Sequence, residues 1–183
     1  MKTLQVSAGV AALLIAALLF AAITDRVWNA KHGVYERRPP TYMPMPEIDD
    51  WNSLRIKLTR TWCEGSCPDY SVEITGDGRV TYVGNGYVAV LGTRHATIPV
   101  DRVRALHEKF RDAEFFWLFD EYRDASIDNP THTIPIAYDG VTKTVTDYVG
   151  LRVGMPITVI ELEYAIDETA DIARWTRGQP VKD

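Results

Sequence analysis

Cys63 and Cys67 are the only cysteines of the 183-residue chain, in the stretch Cys63-Glu64-Gly65-Ser66-Cys67-Pro68. Three kinds of chemistry use such a pair. Outside the cytoplasm a structural disulfide is the default. Closing so short a loop stabilises by about 2 kcal/mol in the chain-entropy estimate. Gly65 suits the sharp reversal, because glycine takes positive φ without steric cost. A redox-active pair is the alternative, but that chemistry favours Cys-x-x-Cys at a helix N-terminus, where the thiolate is stabilised. A metal site built on two cysteines needs further ligands from a second chain. The structural disulfide is the leading expectation, with thiol–disulfide exchange the alternative.

The other candidate residues are sparser. His132 and Asp147 fall opposite one another if Asp139-Gly140 turns a hairpin, the strongest short hairpin signal in the chain. Such a pair can act as a base and its orienter, or simply as a cross-strand polar pair. No nucleophile lies nearby in sequence, so it is expected as a polar pair without catalysis. Glu163 and Asp167 could hold a hard cation, but with Glu161, Glu168 and Asp171 they are expected on the solvated face of a helix. His107 sits on the apolar side of another helix, expected as partly buried and hydrogen-bonded. His32, His95, His107 and His132 have no metal-ligand spacing, so no metal is expected. There is no phosphate loop, no dinucleotide fingerprint and no Gly-x-Ser-x-Gly elbow, so no cofactor is expected.

Period-two alternation positions these residues. Leu54, Ile56 and Leu58, then Tyr70, Val72 and Ile74, read as strands around the cysteine loop. A three-residue loop at Gly76–Gly78 sets Ile74 opposite Val80 and Val72 opposite Tyr82, keeping both apolar sets on one face. Gly84-Asn85-Gly86 reads as the next turn, Tyr87–Leu91 as another strand, and Arg94–Ile98 as the last of a meander. Pro135 cannot donate to a ladder, which places the first strand of the later hairpin at an edge or a bulge. Val103, Leu106, His107 and Phe110 trace one face of a helix over 101–113. Phe115–Phe119 is an aromatic plug for one end of the core. A second helix over 156–175 buries Val159, Leu162, Ile166, Ala170 and Ala173, with Trp175 folding back. The fold class is therefore α+β: an antiparallel sheet, made of an N-terminal meander and a later hairpin, with two helices on one face.

The ends differ from this middle. Leu4–Thr24 is uncharged, and its length suits one membrane crossing. Residues 1–24 are expected as an uncleaved transmembrane anchor, with a cleaved signal and secretion as the alternative. Residues 25–50 carry Pro39, Pro40, Pro44 and Pro46 and read as a spacer linker. Residues 51–178 form the folded domain, and 179–183 a tail. The net charge of −5, with no Lys/Arg cluster, excludes a nucleic-acid surface.

Leu58-Thr59-Arg60-Thr61-x-Cys63-x-Gly65-x-Cys67-Pro68-x-Tyr70-x-Val72-x-Ile74, followed by Gly76-Asp77-Gly78-x-Val80-x-Tyr82-x-Gly84, resembles a bacterial family catalogued as a domain of unknown function. Phe115-Phe116, Thr144–Tyr148 and Ile166-Asp167…Trp175 resemble its later motifs. The resemblance implies the boundaries of the domain, the pairing of the cysteines and a place behind export signals or anchors; it implies no catalytic residue. Trp62 departs from it, standing where a smaller residue is expected. The reading as a whole is a single-pass membrane protein with its domain outside the cytoplasm, in the periplasm. Its expected role is non-enzymatic binding or interaction, with the membrane and an envelope protein as partners and no nucleic acid.

Overall fold

Alternation builds the sheet. Ile56 and Leu58 in β1 (Arg55–Arg60), Tyr70, Val72 and Ile74 in β2 (Asp69–Thr75), and Val80 and Tyr82 in β3 (Arg79–Gly86) are fully buried on one face. The intervening residues, Lys57, Thr59, Ser71 and Glu73 among them, are half-buried on the other. The computed structural model describes residues 36–176. Its remaining strands are β4 (Gly92–Thr97), β5 (Glu121–Arg123), β6 (His132–Tyr138) and β7 (Val141–Tyr148). Together they make one seven-stranded sheet in the order β4-β3-β2-β1-β6-β7-β5. Two helices, α1 (Val100–Asp112) and α2 (Ile157–Ala170), bury their apolar faces in the same core. Trp175 returns to stack on Tyr82, with ring centroids 4.8 Å apart.

Both hairpins take the expected register, the first from apolar matching and the later one from the Asp139-Gly140 turn. Ile74 pairs with Val80 and Val72 with Tyr82, and Gly78 closes the turn at φ +85°. In the later hairpin Tyr138 pairs with Val141 and His132 with Asp147.

Several expectations are corrected. The sheet is mixed, because β5 joins β7 in parallel at the edge, drawn there by its one buried side chain, Tyr122. Gly84-Asn85-Gly86 continues β3, and the reversal falls in 87–91, which is irregular. β6 lies inside the sheet, between β1 and β7. Pro135 is tolerated there because the β1–β6 ladder pairs at Arg55, Ile56, Thr59 and Arg60 but not at the two positions between. α2 ends at Ala170, and a short 3₁₀ turn, Ile172–Arg174, carries the chain on.

The largest change concerns the expected spacer. From Arg37 onward the chain belongs to the compact unit, not to a linker ending at residue 50. Arg37 donates its N–H to the Gly154 carbonyl (2.7 Å). The carbonyls of Arg37, Pro39 and Pro46 accept from Tyr122 Oη (2.7 Å), Trp117 Nε1 (2.8 Å) and Tyr138 Oη (2.7 Å). Proline lacks a donor but keeps its carbonyl, so aromatic donors bind this strap to the domain. The expected anchor over 1–24 and the start of the linker lie outside the described residues. Among the described residues no helix is long and apolar enough to cross a membrane.

Candidate functional site

The alternation of β1 does not stop at Leu58. It carries on to Arg60, whose side chain is on the core face and only 1% exposed. A buried guanidinium is stable only when paired. α2 provides the partners: Glu163 and Asp167 stand one turn apart and share a face. Arg60 reaches Glu163 Oε2 through one nitrogen (3.0 Å) and Asp167 Oδ2 through another (3.1 Å). Tyr70, opposite Arg60 on β2, donates its hydroxyl to Asp167 Oδ1 (2.9 Å). His132, opposite Arg60 on β6, lies with Nδ1 2.7 Å from Glu163 Oε2. The same Arg60 nitrogen is 3.2 Å from His132 Nε2.

Asp147 follows on β7, opposite His132. Its Oδ1 accepts the Gly150 N–H at 2.6 Å. A Cβ on Gly150 would come within 2.9 Å of that oxygen and 2.8 Å of Met155 Sδ, so only glycine permits the approach. Tyr70, Arg60, His132 and Asp147 thus form a lateral row across four adjacent strands, covered by α2. All are buried, as are Glu163 and Asp167.

Burial raises the pKa of Asp167, against the pull of Arg60 and the hydrogen bond from Tyr70. Burial also raises the Tyr70 phenol, with the Asp167 charge adding to it. Both groups are therefore held toward their neutral forms.

Beside this row opens a cavity of about 610 Å³. The disulfide loop 63–68 forms one wall; Asn129, Pro130, residues 149–151 and Ile160 of α2 form the rest, and His132 and Asp147 reach its lining. The Cys63–Cys67 disulfide is formed, with Cα atoms 5.5 Å apart. Its loop is tied to the segment before β6: Thr61 and Glu64 donate N–H groups to the carbonyls of Thr131 (3.0 Å) and Asp128 (3.2 Å). Val149, in the lining, sits at φ 55°, ψ 36°. A β-branched residue held there stores backbone strain, a condition that clusters at functional sites.

Sequence reasoning kept the cysteine loop and the His132–Asp147 pair apart; the structure brings them to one cavity. It also overturns the solvated placing of Glu163 and Asp167. They fall between Val159, Leu162, Ile166 and Ala170 on the inward face, and Arg60 supplies the charge that permits it. Arg60 and Tyr70 were not singled out, although the i, i+2 alternation of both strands runs through them. His107 lies elsewhere, fully buried between the rings of Trp51 and Tyr138. Contrary to expectation, neither of its nitrogens has a hydrogen-bond partner among the described residues; the Glu108 carboxylate stands 3.9 Å from Nδ1. Trp62 is 62% exposed, and nothing in the structure explains it.

No curated protein matches the chain. A family model described as a domain of unknown function matches residues 54–170, a span that begins just before β1, ends with α2 and contains every member of the buried row. The chain belongs to that family, the domain of unknown function DUF6438.

Proposed function

We propose that this chain is an extracytoplasmic binding module, anchored by its apolar N-terminal segment, which takes a small ligand into the cavity beside the disulfide loop. The observation that carries the reading is the cavity itself. At about 610 Å³ it lies within the roughly 300–1,000 Å³ range of small-molecule sites. Its lining is largely apolar, through Pro68, Pro130, Val149, Leu151 and Ile160, with His132 and Asp147 as the convergent polar groups. Glu64 adds a second acid. This suits a ligand with an apolar body and a hydrogen-bonding or basic end. The anchor is supported by the uncharged stretch Leu4–Thr24, and export by the disulfide.

The test uses the neutral fluorescent probe N-phenyl-1-naphthylamine. The wild-type chain is expected to bind it, and Leu151→Arg, a half-exposed position of the lining, to weaken binding at least tenfold. Equal binding by both would put the probe elsewhere and remove the basis of the reading. For topology, a reporter fused after Asp183 is expected to be active only outside the cytoplasm; activity inside would defeat the anchored, exported arrangement.

Thiol–disulfide exchange at Cys63 and Cys67 is the second reading, favoured by the place of the bridge in the cavity wall. Against it, the loop joins two strands, and among the described residues no helix begins at either cysteine to stabilise a thiolate. A reduction potential below about −300 mV is expected of a structural bridge. A markedly higher potential would favour exchange.

A further inference from the structure

We infer that His132, Asp147 and Glu163 form a binding site for a divalent transition-metal ion, zinc in the first instance, at the inner end of the cavity. The inference rests on the cavity reading for access, since ion and water must enter that way. Each residue offers one ligand atom, from β6, β7 and α2 respectively, and the three atoms lie within 4.8 Å of one another. All three side chains are buried. One imidazole and two carboxylates suit zinc, and three protein ligands leave a fourth position for water or ligand. Bonds of about 2.0–2.2 Å bring ligand atoms to within about 3.5 Å of each other, a closure that side-chain movements of about 1 Å can supply.

One further observation points to a cation. Glu163 is 1% exposed; its Oε2 takes both Arg60 and His132, while its Oε1 is buried with no hydrogen-bond partner among the described residues. A buried carboxylate oxygen left this way is costly, and a cation is the partner that removes the cost. The Arg60 nitrogen that stands 3.0 Å from His132 Nδ1, 3.2 Å from Nε2 and 3.0 Å from Glu163 Oε2 is the group the ion displaces, while the second nitrogen of Arg60 keeps its bond to Asp167.

The experiment is calorimetric titration of the chelator-treated full-length chain with zinc chloride, with cobalt(II) absorption as a report on coordination. Expected is one ion per chain, with Asp147→Asn and Glu163→Gln each weakening binding at least tenfold. Asp147→Asn keeps an acceptor for the Gly150 N–H, so it tests ligation without the loss of the buried ion pair with Arg60 that Glu163→Gln brings. Asp167→Asn, in the same buried network but outside the ligand set, is expected to change affinity less than threefold. Absence of stoichiometric binding, or equal loss in all three variants, overturns the site. If zinc fails to bind while the fluorescent probe still enters, the metal inference falls and the cavity reading stands. If zinc binds and the probe does not, the cavity reading falls alone.

Discussion

The core holds two histidines that are almost equally buried and otherwise opposites. His107, 0% exposed on α1, meets Trp51 and Tyr138 edge-on at centroid distances of 5.2 and 5.9 Å, and neither nitrogen is hydrogen-bonded. His132, 4% exposed on β6, sits between Arg60 and Asp147 in the sheet and under Glu163 of α2. Burial is therefore a poor guide to what a histidine does. The first is a filler of an aromatic gap, held neutral by desolvation with Arg111 assisting. The second belongs to a charge network whose members answer to one another.

The contrast can be broken at its most costly point first. Arg60→Met leaves Glu163 and Asp167 buried without their cation, and is expected to cost about 3–5 kcal/mol in urea unfolding. A loss under about 1 kcal/mol would mean that the network does not bear on stability. His132→Leu should follow at about 2–3 kcal/mol, since it takes a hydrogen bond from an already under-satisfied Glu163. His107→Leu should go the other way, neutral or stabilising by about 1 kcal/mol, because it removes a buried polar group that makes no hydrogen bond to the described residues. Equal costs for the two leucine variants would erase the distinction.

The finest test is the pH dependence of stability. The pKa of His107 is lowered from the ordinary 6.5, mainly by burial and then by Arg111, with Glu108 and Glu47 pulling it upward. Below pH 6.5 the unfolded chain takes up a proton that the folded chain refuses. Stability from this group is thus complete above that pH and lost as pH falls, by at most about 1.4 kcal/mol per pH unit. His107→Leu should remove that slope between pH 6.5 and 5.5. An identical slope in variant and wild type would show that the ring is not held neutral.

Much of the sheet was legible because register follows apolar matching. Ile74 with Val80, and Ile134 with Val145, leave no other pairing that keeps both faces consistent. The opposition of His132 and Asp147 came instead from the Asp139-Gly140 turn, which sets the register of the later hairpin. The buried row was not legible as a whole, for a reason visible in Arg60 and Glu163. A charged side chain at an inward position looks like the end of a pattern until its partner, 103 residues away, is known. β5 was illegible for another reason. Three residues with one buried tyrosine carry no period, and a parallel partner across the later hairpin leaves no local trace. The strap was missed because prolines suggest standing clear of a domain, while its attachment depends on carbonyls that every sequence has.

That strap separates the stretch by which the family is recognised from the stretch that can stand alone. A fragment trimmed to 54–170 would keep every strand and both helices. It would also strip the acceptors from Tyr122, Trp117 and Tyr138, and remove Trp175 from the ring of Tyr82. The heritable unit and the autonomous one differ at both ends, and a soluble fragment meant to report on the whole should begin at Arg37 and run to at least Thr176.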